Sequence, residues 1–228
     1  MPHSDCNLVD WHAIDTVLLD MDGTLLDLRF DNYFWLDLVP RKFGEVHGLD
    51  FALAQAELKP RFAAHHGRLE WYCTDHWSRE LNLDIAALKR GAREHIGWLP
   101  GAEEFLLTLR RWSKRLLLVT NAHQDSLAIK NEHTGLGRYF DALVSSHEYG
   151  YPKEHADFWA ALHREHALDR ERTLFVDDSV AVLRAARDYG IGHLIIVTHP
   201  DSTQADRACD EFPSIPRVAQ LLSVNQST

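Results

Sequence analysis

The sequence predicts an α/β protein, a doubly wound parallel sheet with a helical domain inserted after its first strand. Three observations predict it. Five short apolar, β-branched runs recur along the chain, and such runs read as strands buried on both faces. Between four of them lie segments with apolar residues at three- and four-residue spacing, the signature of helices packed on one face. The first and second runs, in contrast, are separated by almost a hundred residues that read as helix alone.

Taken in order, the first strand is Thr16-Val17-Leu18-Leu19. The insert follows, with helical patterns over 32–46, 51–66, 69–81 and 85–96, punctuated by Gly48, Gly67, Asn82 and Gly97. Pro40 and Pro60 should end or kink the helices they fall in, because proline lacks the N–H and its ring crowds the preceding turn. Hinges are expected at 26–30 and 98–101, so that 1–28 and 98–228 form the α/β unit and 29–97 the helical one. The sheet resumes with Leu116-Leu117-Leu118-Val119, Ala142-Leu143-Val144, Leu174-Phe175-Val176 and Leu194-Ile195-Ile196-Val197. Helices at 101–112, 124–134, 156–166 and 179–189 alternate with these strands, which gives a Rossmann-like layering. After Pro200, Pro213 and Pro216 point to a loop, followed by a short helix at 218–222.

Composition narrows the function. In 228 residues, 45% are hydrophobic and 25% charged, values of an ordinary globular chain long enough to bury a core. The net charge of −10 disfavours a nucleic-acid polymer as partner, since a phosphate backbone demands clustered positive charge. Cys6, Cys73 and Cys209 are odd in number and contain no C-x-x-C, so neither a disulfide framework nor a zinc ribbon is indicated, and a reducing cytoplasm fits. Asp5, Asp10 and Asp15 break any secretory apolar segment, and no stretch of ~20 apolar residues suggests a membrane span.

The chemistry gathers where strands end. The first strand runs into Asp20-Met21-Asp22-Gly23-Thr24-Leu25. By average residue usage a D-x-D-G-T-L string arises by chance in a chain this long roughly once in several thousand cases. Thr120 and Asn121 end the second strand just before a helix whose N-terminal amides can hold an anion. Lys153 follows the third strand, and Asp177-Asp178-Ser179 ends the fourth; adjacent acids there would repel unless a cation lies among them and Asp20. In an open α/β sheet all four sets fall on the ligand-binding edge. Carboxylates for a divalent ion, a lysine and hydroxyl for phosphoryl oxygens, and a free carboxylate beside them point to phosphoryl transfer through an aspartyl phosphate.

With these four motifs in order over nearly the whole chain, the sequence resembles the haloacid dehalogenase-like hydrolases, phosphatase branch. Strings such as Asp31-Asn32-Tyr33-Phe34-Trp35, Trp71-Tyr72-Cys73, Thr120-Asn121-Ala122-His123 and Gly150-Tyr151-Pro152-Lys153-Glu154 are more similar still to the bacterial GMP/IMP nucleotidases of that superfamily. The resemblance implies Asp20 as nucleophile and Mg²⁺ ligand. It implies Asp22 as general acid and base, with its backbone carbonyl on the metal. Thr120 and the Asn121 N–H would hold phosphate oxygens, Lys153 would neutralise nucleophile and phosphate together, and Asp178 would ligate Mg²⁺ directly with Asp177 acting through water. The insert would be a helical cap. The implied substrate is a small phosphorylated metabolite, a purine mononucleotide such as GMP or IMP.

Two positions depart from the superfamily pattern: Glu154 follows the lysine where proline is usual, and Val182 stands where many relatives carry another aspartate. Among the insert's aromatic residues, Asn32 and Tyr33 come soonest after the catalytic strand and are the candidates for specificity. The histidines, including His65, His66 and His76, lack a metal-binding spacing beside an acid and read as surface or core residues. Lys42, Lys59 and Lys89 carry no sign of the activation that a Schiff-base phosphonate hydrolase needs. Alternative readings are a phosphatase or mutase acting on sugar phosphates and, from another class, a non-catalytic phosphate- or Mg²⁺-binding protein. Asp22 argues against a haloacid dehalogenase, and the absence of G-x-G-x-x-G after the first strand argues against a dinucleotide-dependent oxidoreductase.

Overall fold

A computed structural model describes residues 8–222; Asp5 and Cys6 lie outside them. Strands β1 (Thr16–Leu19), β2 (Arg115–Thr120), β3 (Ala142–Ser145), β4 (Thr173–Asp177), β5 (His193–Val197) and β6 (Ser214–Ile215) form one sheet in the order β3-β2-β1-β4-β5-β6, every pair parallel. Side chains alternate faces with period two. Accordingly Val17, Leu19, Leu116, Leu118 and Val176 enter one hydrophobic cluster, while Leu18, Leu117, Val119 and Phe175 enter another on the opposite face. Helix α7 (Ala102–Arg111) and part of α8 (Gln124–Thr134) cover the first face. The second is covered by α9 (Ala156–His166) and α10 (Val180–Tyr189). The five strands and four helices read from the sequence stand where its pattern put them.

The sixth strand is a correction. Two residues are too short for a periodic signal, and they sit between Pro213 and Pro216. Proline tolerates an edge strand because the missing N–H is not needed on the open side. Here the Pro213 carbonyl accepts from Ile196 at 2.9 Å and the Ile215 carbonyl from Thr198 at 2.8 Å, which extends the sheet.

Between β1 and β2 the chain is helical: α1 (Arg29–Tyr33), α2 (Val39–His47), α3 (Phe51–His65), α4 (Leu69–Tyr72), α5 (Thr74–Leu81) and α6 (Ile85–Gly91). A π-helical turn, Phe34–Leu38, joins α1 to α2 without a break. Pro40 explains it. The proline cannot donate to the Leu36 carbonyl, so the preceding turn widens, Val39 donates to Phe34, and Gln55 Nε2 supplies the Leu36 carbonyl at 3.0 Å. Pro60, by contrast, lies within α3, which continues to His65.

The expected single helix over 69–81 is two. Cys73 is extended (φ −83°, ψ 112°), and its Sγ accepts from the His76 amide at 3.4 Å. The break frees the Trp71 carbonyl, which takes the Trp77 indole N–H at 2.9 Å. Trp77 is buried among Phe34, Phe43, Leu58, Phe62 and Leu81, a cluster separate from those on the sheet. Two crossing segments carry the chain in and out of this insert, and they pair: Leu26 bridges Trp98 antiparallel, with Asp27 N–H to the Gly97 carbonyl and Leu99 N–H to the Leu25 carbonyl, both at 2.8 Å.

Trp77 fills the centre of the insert and closes its broken helix. Trp77→Ala should therefore lower unfolding free energy by about 3–5 kcal/mol, read as a shift in urea midpoint.

Candidate active site

Strand register sets the site. Leu19 pairs with Val176, so the next residues, Asp20 and Asp177, leave adjacent strand ends side by side. The Asp20 amide still donates to the Val176 carbonyl at 3.0 Å. Lys153 reaches between them: its Nζ lies 2.5 Å from Asp20 Oδ1 and 2.7 Å from Asp177 Oδ2, and donates to the Val119 carbonyl at 3.1 Å. All three side chains are almost wholly buried. Asp178 completes the group, since ligand oxygens of Asp20, Asp177 and Asp178 lie within 4.8 Å of one another.

Gly23 makes the close packing possible. Its φ of +84° is strained for a side chain, and a Cβ there would stand 2.7 Å from Asp178 Oδ2. The tight turn after Asp22 thus passes directly over the carboxylate of the fourth strand.

Burial pushes the Asp20 carboxyl up to about 7, against the pull of Lys153 and with Asp177 and Asp22 adding repulsion. Burial likewise raises Asp177 to about 6 and Asp178 to about 7; Lys153 draws the former down and Arg207, 3.0 Å from Asp178, the latter. Despite its own burial Lys153 is held above its ordinary range by Asp177 and Asp20. Three buried carboxylates that resist ionising beside a single shared lysine are a donor set suited to a hard divalent cation.

Asp22 turns to a second lysine. Lys130 Nζ, from α8, lies 2.6 Å from Asp22 and 2.5 Å from Asp31, and Lys89 Nζ, from α6, lies 2.8 Å from the other Asp31 oxygen. Burial raises Asp22 although Lys130 opposes it. For Asp31 burial also raises, but Lys130 and Lys89 together overcome it and hold the carboxyl well below its usual range. The line Asp22–Lys130–Asp31–Lys89 joins α/β unit to insert with buried charge. Sequence reading missed this role for Lys130 and for Lys89, whose burial lowers its pKa while Asp31 keeps it paired.

Thr120 and Asn121 end β2 beside Asp20. Asn121 Oδ1 accepts from the Lys153 amide at 2.8 Å, which fixes the lysine loop, and Asn121 Nδ2 donates to Glu154 at 2.9 Å. Glu154 also accepts from the Tyr72 hydroxyl of the insert at 2.9 Å. The glutamate that replaces a usual proline is thus an anchor for Asn121 and Tyr72, a contact with no sequence signal because its partners are 33 and 82 residues distant.

Asp20, Asp22, Thr120, Asn121, Lys153, Asp177 and Asp178 all line one cavity of about 270 Å³. Its roof is aromatic, with Trp35, Phe62, Trp71 and Tyr72 from the insert, and the first three also wall an adjoining hollow of about 490 Å³. Asn32 lines the cavity, with its amide donating to Asp201 at 2.6 Å. Tyr33 is not among the lining residues; its ring meets His95 at 4.6 Å and packs against the sheet's core.

Comparison with known proteins agrees with this geometry. The chain matches the family of haloacid dehalogenase-like hydrolases over residues 14–190. It is 42% identical over 214 residues to the GMP/IMP nucleotidase YrfG of Escherichia coli K12, covering 94% of this chain and 96% of that one. It is 30% identical over 182 residues to the pyrimidine 5′-nucleotidase YjjG of the same organism, covering 72% and 77%. Among solved structures, a HAD phosphatase from Thermococcus onnurineus superposes with a TM-score of 0.79 at 18% identity, over 92% of this chain and 97% of that one, a likeness of fold.

Two expectations follow from the charges. Raised carboxyls mean that the folded site holds protons the unfolded chain has released, so its contribution to stability falls as pH rises through about 6 to about 7. A divalent cation held there would replace those protons, so any rise in melting temperature it gives should be larger at about pH 8 than at about pH 5. Second, Lys130→Met leaves Asp22 and Asp31 facing each other with Lys89 alone, and should cost about 3–5 kcal/mol in urea denaturation, part of it recovered by adding Asp31→Asn.

Proposed function

The chain belongs to the haloacid dehalogenase-like hydrolases, and we propose that within them it is a Mg²⁺-dependent 5′-nucleotidase that hydrolyses GMP and IMP through an aspartyl phosphate. One observation carries the reading. A buried carboxylate–lysine cluster opens directly into a cavity roofed by Trp35, Phe62 and Trp71, which offers a place for the phosphate at one end and a flat base at the other. A sugar phosphate lacks the flat aromatic base that such a roof stacks. The 42% identical relative being a GMP/IMP nucleotidase supports the purine choice.

In this reading Asp20 and Asp178 would hold Mg²⁺ by their carboxylates, Asp22 by its backbone carbonyl and Asp177 through water. When bound, the ion would supply charge neutralisation and polarise the phosphoryl oxygens. The cavity's own charges call for it: five aspartates and two lysines line it, so an anionic substrate meets net repulsion without a cation.

The chain's own residues would do the rest. Thr120 Oγ1 and the Asn121 N–H hold phosphate oxygens, and Lys153 draws Asp20 toward its ionised form beside them. The Asp20 oxygen attacks phosphorus, a new P–O bond forms, and the ester P–O bond breaks. Asp22, its carboxyl raised by burial and steered by Lys130, gives its proton to the departing nucleoside oxygen. Asp22 then takes a proton from water, whose oxygen attacks phosphorus, releasing phosphate and restoring Asp20. Residues 29–97 act as a cap on the unit formed by 1–28 and 98–228, swinging on the paired segments at Leu26 and Trp98 and excluding water when closed.

The test is phosphate release with Mg²⁺ from GMP, IMP, AMP, UMP and several sugar phosphates, beside Asp20→Asn. Preference for GMP and IMP, lost by at least about a thousandfold in the variant, is the expected result. Preference for UMP or a sugar phosphate overturns the purine assignment, and release that survives Asp20→Asn overturns the mechanism.

A further inference from the structure

A second cluster of ligating atoms lies apart from the acidic one. Cys73, His123 and His147 each offer one atom, and the three atoms fall within 4.8 Å of one another. They come from three separate places: the break between α4 and α5, the residue that caps α8, and the turn after β3. No spacing in the sequence joins them. Cys73 belongs to the insert and the two histidines to the α/β unit, so the cluster straddles the join between them.

Each histidine is prepared to ligate. The Thr74 hydroxyl donates to Asp125 Oδ2 at 3.2 Å, which leaves its oxygen to accept from His123 Nδ1 at 2.7 Å. The Asp125 amide donates to the same nitrogen at 3.4 Å when that nitrogen is bare, the bond that caps α8. The ligating tautomer carries its proton on Nδ1, toward Thr74, which frees the Nε2 lone pair and sets the Thr74–Asp125 pair behind the ring as a metal-bound histidine's outer partners are. His147 Nε2 is buried with no hydrogen-bond partner. Burial, with His123 adding to it, holds that imidazole neutral, down to about 4. The two rings meet edge to face, centroids 4.9 Å apart. Asp75 Oδ2 lies 4.0 Å from His123 Nε2 and forms with Asp125 a separate group around that ring.

We propose that Cys73, His123 and His147 form a second cation site that takes a thiophilic divalent ion of the Zn²⁺ class and clips the insert to the α/β unit. One sulfur and two imidazole nitrogens suit such an ion, whereas the oxygen-only set of Asp20, Asp177 and Asp178 suits a harder one. The clip falls where the insert already holds on. Its neighbours Tyr72 and Thr74 bond across to Glu154 and His123, so an ion at Cys73 would fasten the stretch between two existing contacts. The proposal stands whether or not the chain is a nucleotidase.

Co²⁺ is the probe, added to the full chain with Mg²⁺ saturating and a non-chelating reductant present. One equivalent should give a thiolate-to-cobalt charge-transfer band, bleached by Zn²⁺, and Zn²⁺ should raise the melting temperature. In Cys73→Ser the band should vanish, in His147→Gln the apparent affinity should fall by more than about tenfold, and in Cys209→Ser both should persist. Far-ultraviolet circular dichroism confirms that each variant is folded; if Cys73→Ser is not, His147→Gln and Cys209→Ser decide. Absence of the band in the wild type, its persistence in Cys73→Ser, or unchanged affinity in His147→Gln overturns the proposal.

Discussion

Everything at the carboxyl edge of the sheet depends on the Lys153 ammonium lying between Asp20 and Asp177. Parallel pairing in register forces the two carboxylates together, and the both-face burial that makes the strands stable denies them water. A buried ion pair is poor value for stability, since desolvation of each charge costs several kcal/mol. Removing the lysine would leave two buried carboxyls to take up protons or repel each other, so the lysine is what lets them sit together ionised. The Lys153 loop is fixed accordingly: Asn121 takes its amide, Trp159 Nε1 donates to its carbonyl at 2.7 Å, and Val119 takes one ammonium hydrogen.

Charge also couples the insert to the site. Lys130 touches Asp22 on the α/β side and Asp31 on the insert, and Lys89 closes the line from the insert's own α6. Phe30 lies under both ammonium groups, at 5.4 and 5.3 Å from ring centre to nitrogen, which adds cation–π attraction in a dry setting. Movement of the insert would pull Asp31 from Lys130 and leave Asp22 as that lysine's remaining carboxylate. The acidity of Asp22 and the position of the insert are therefore parts of one equilibrium, because the same ammonium serves both.

The sheet was legible because strands buried on both faces must be apolar throughout, and the helices between them because one face must be. The strand-end residues were legible for a related reason: a charged residue directly after Leu19 or Val176 has no structural purpose in a core. What the sequence hid was pairing across distance. Lys130 sits in an ordinary helical pattern, Glu154 shows only as a departure from the usual proline, and Arg207 lies in the proline-bounded tail, yet each contacts a site carboxylate or amide. The break at Cys73 was hidden too, since helix and break share the same apolar spacing and only the Trp77–Trp71 bond shows which carbonyl went free. Tyr33 shows the limit of sequence position: closeness to the first strand says nothing about which face of α1 meets the cavity, and its ring lies against His95.

The insert's aromatic residues divide by the same logic of burial. Trp77 and Phe34 are sealed in the insert's core, whereas Trp35, Phe62 and Trp71 serve two surfaces at once: they pack edge to face on Trp77 and present their other sides to the cavity. A wall held from behind by a buried tryptophan loses little entropy when a flat ligand is laid against it, because its rotamers are fixed before binding. In the proposed reading, the pre-organised roof would take a flat group, and the acid-rich floor would take a cation and, through it, a phosphate. A phosphorylated nucleoside would meet both demands with a single ribose between them, so the proposed substrate rests on the roof as much as on the aspartates beneath it.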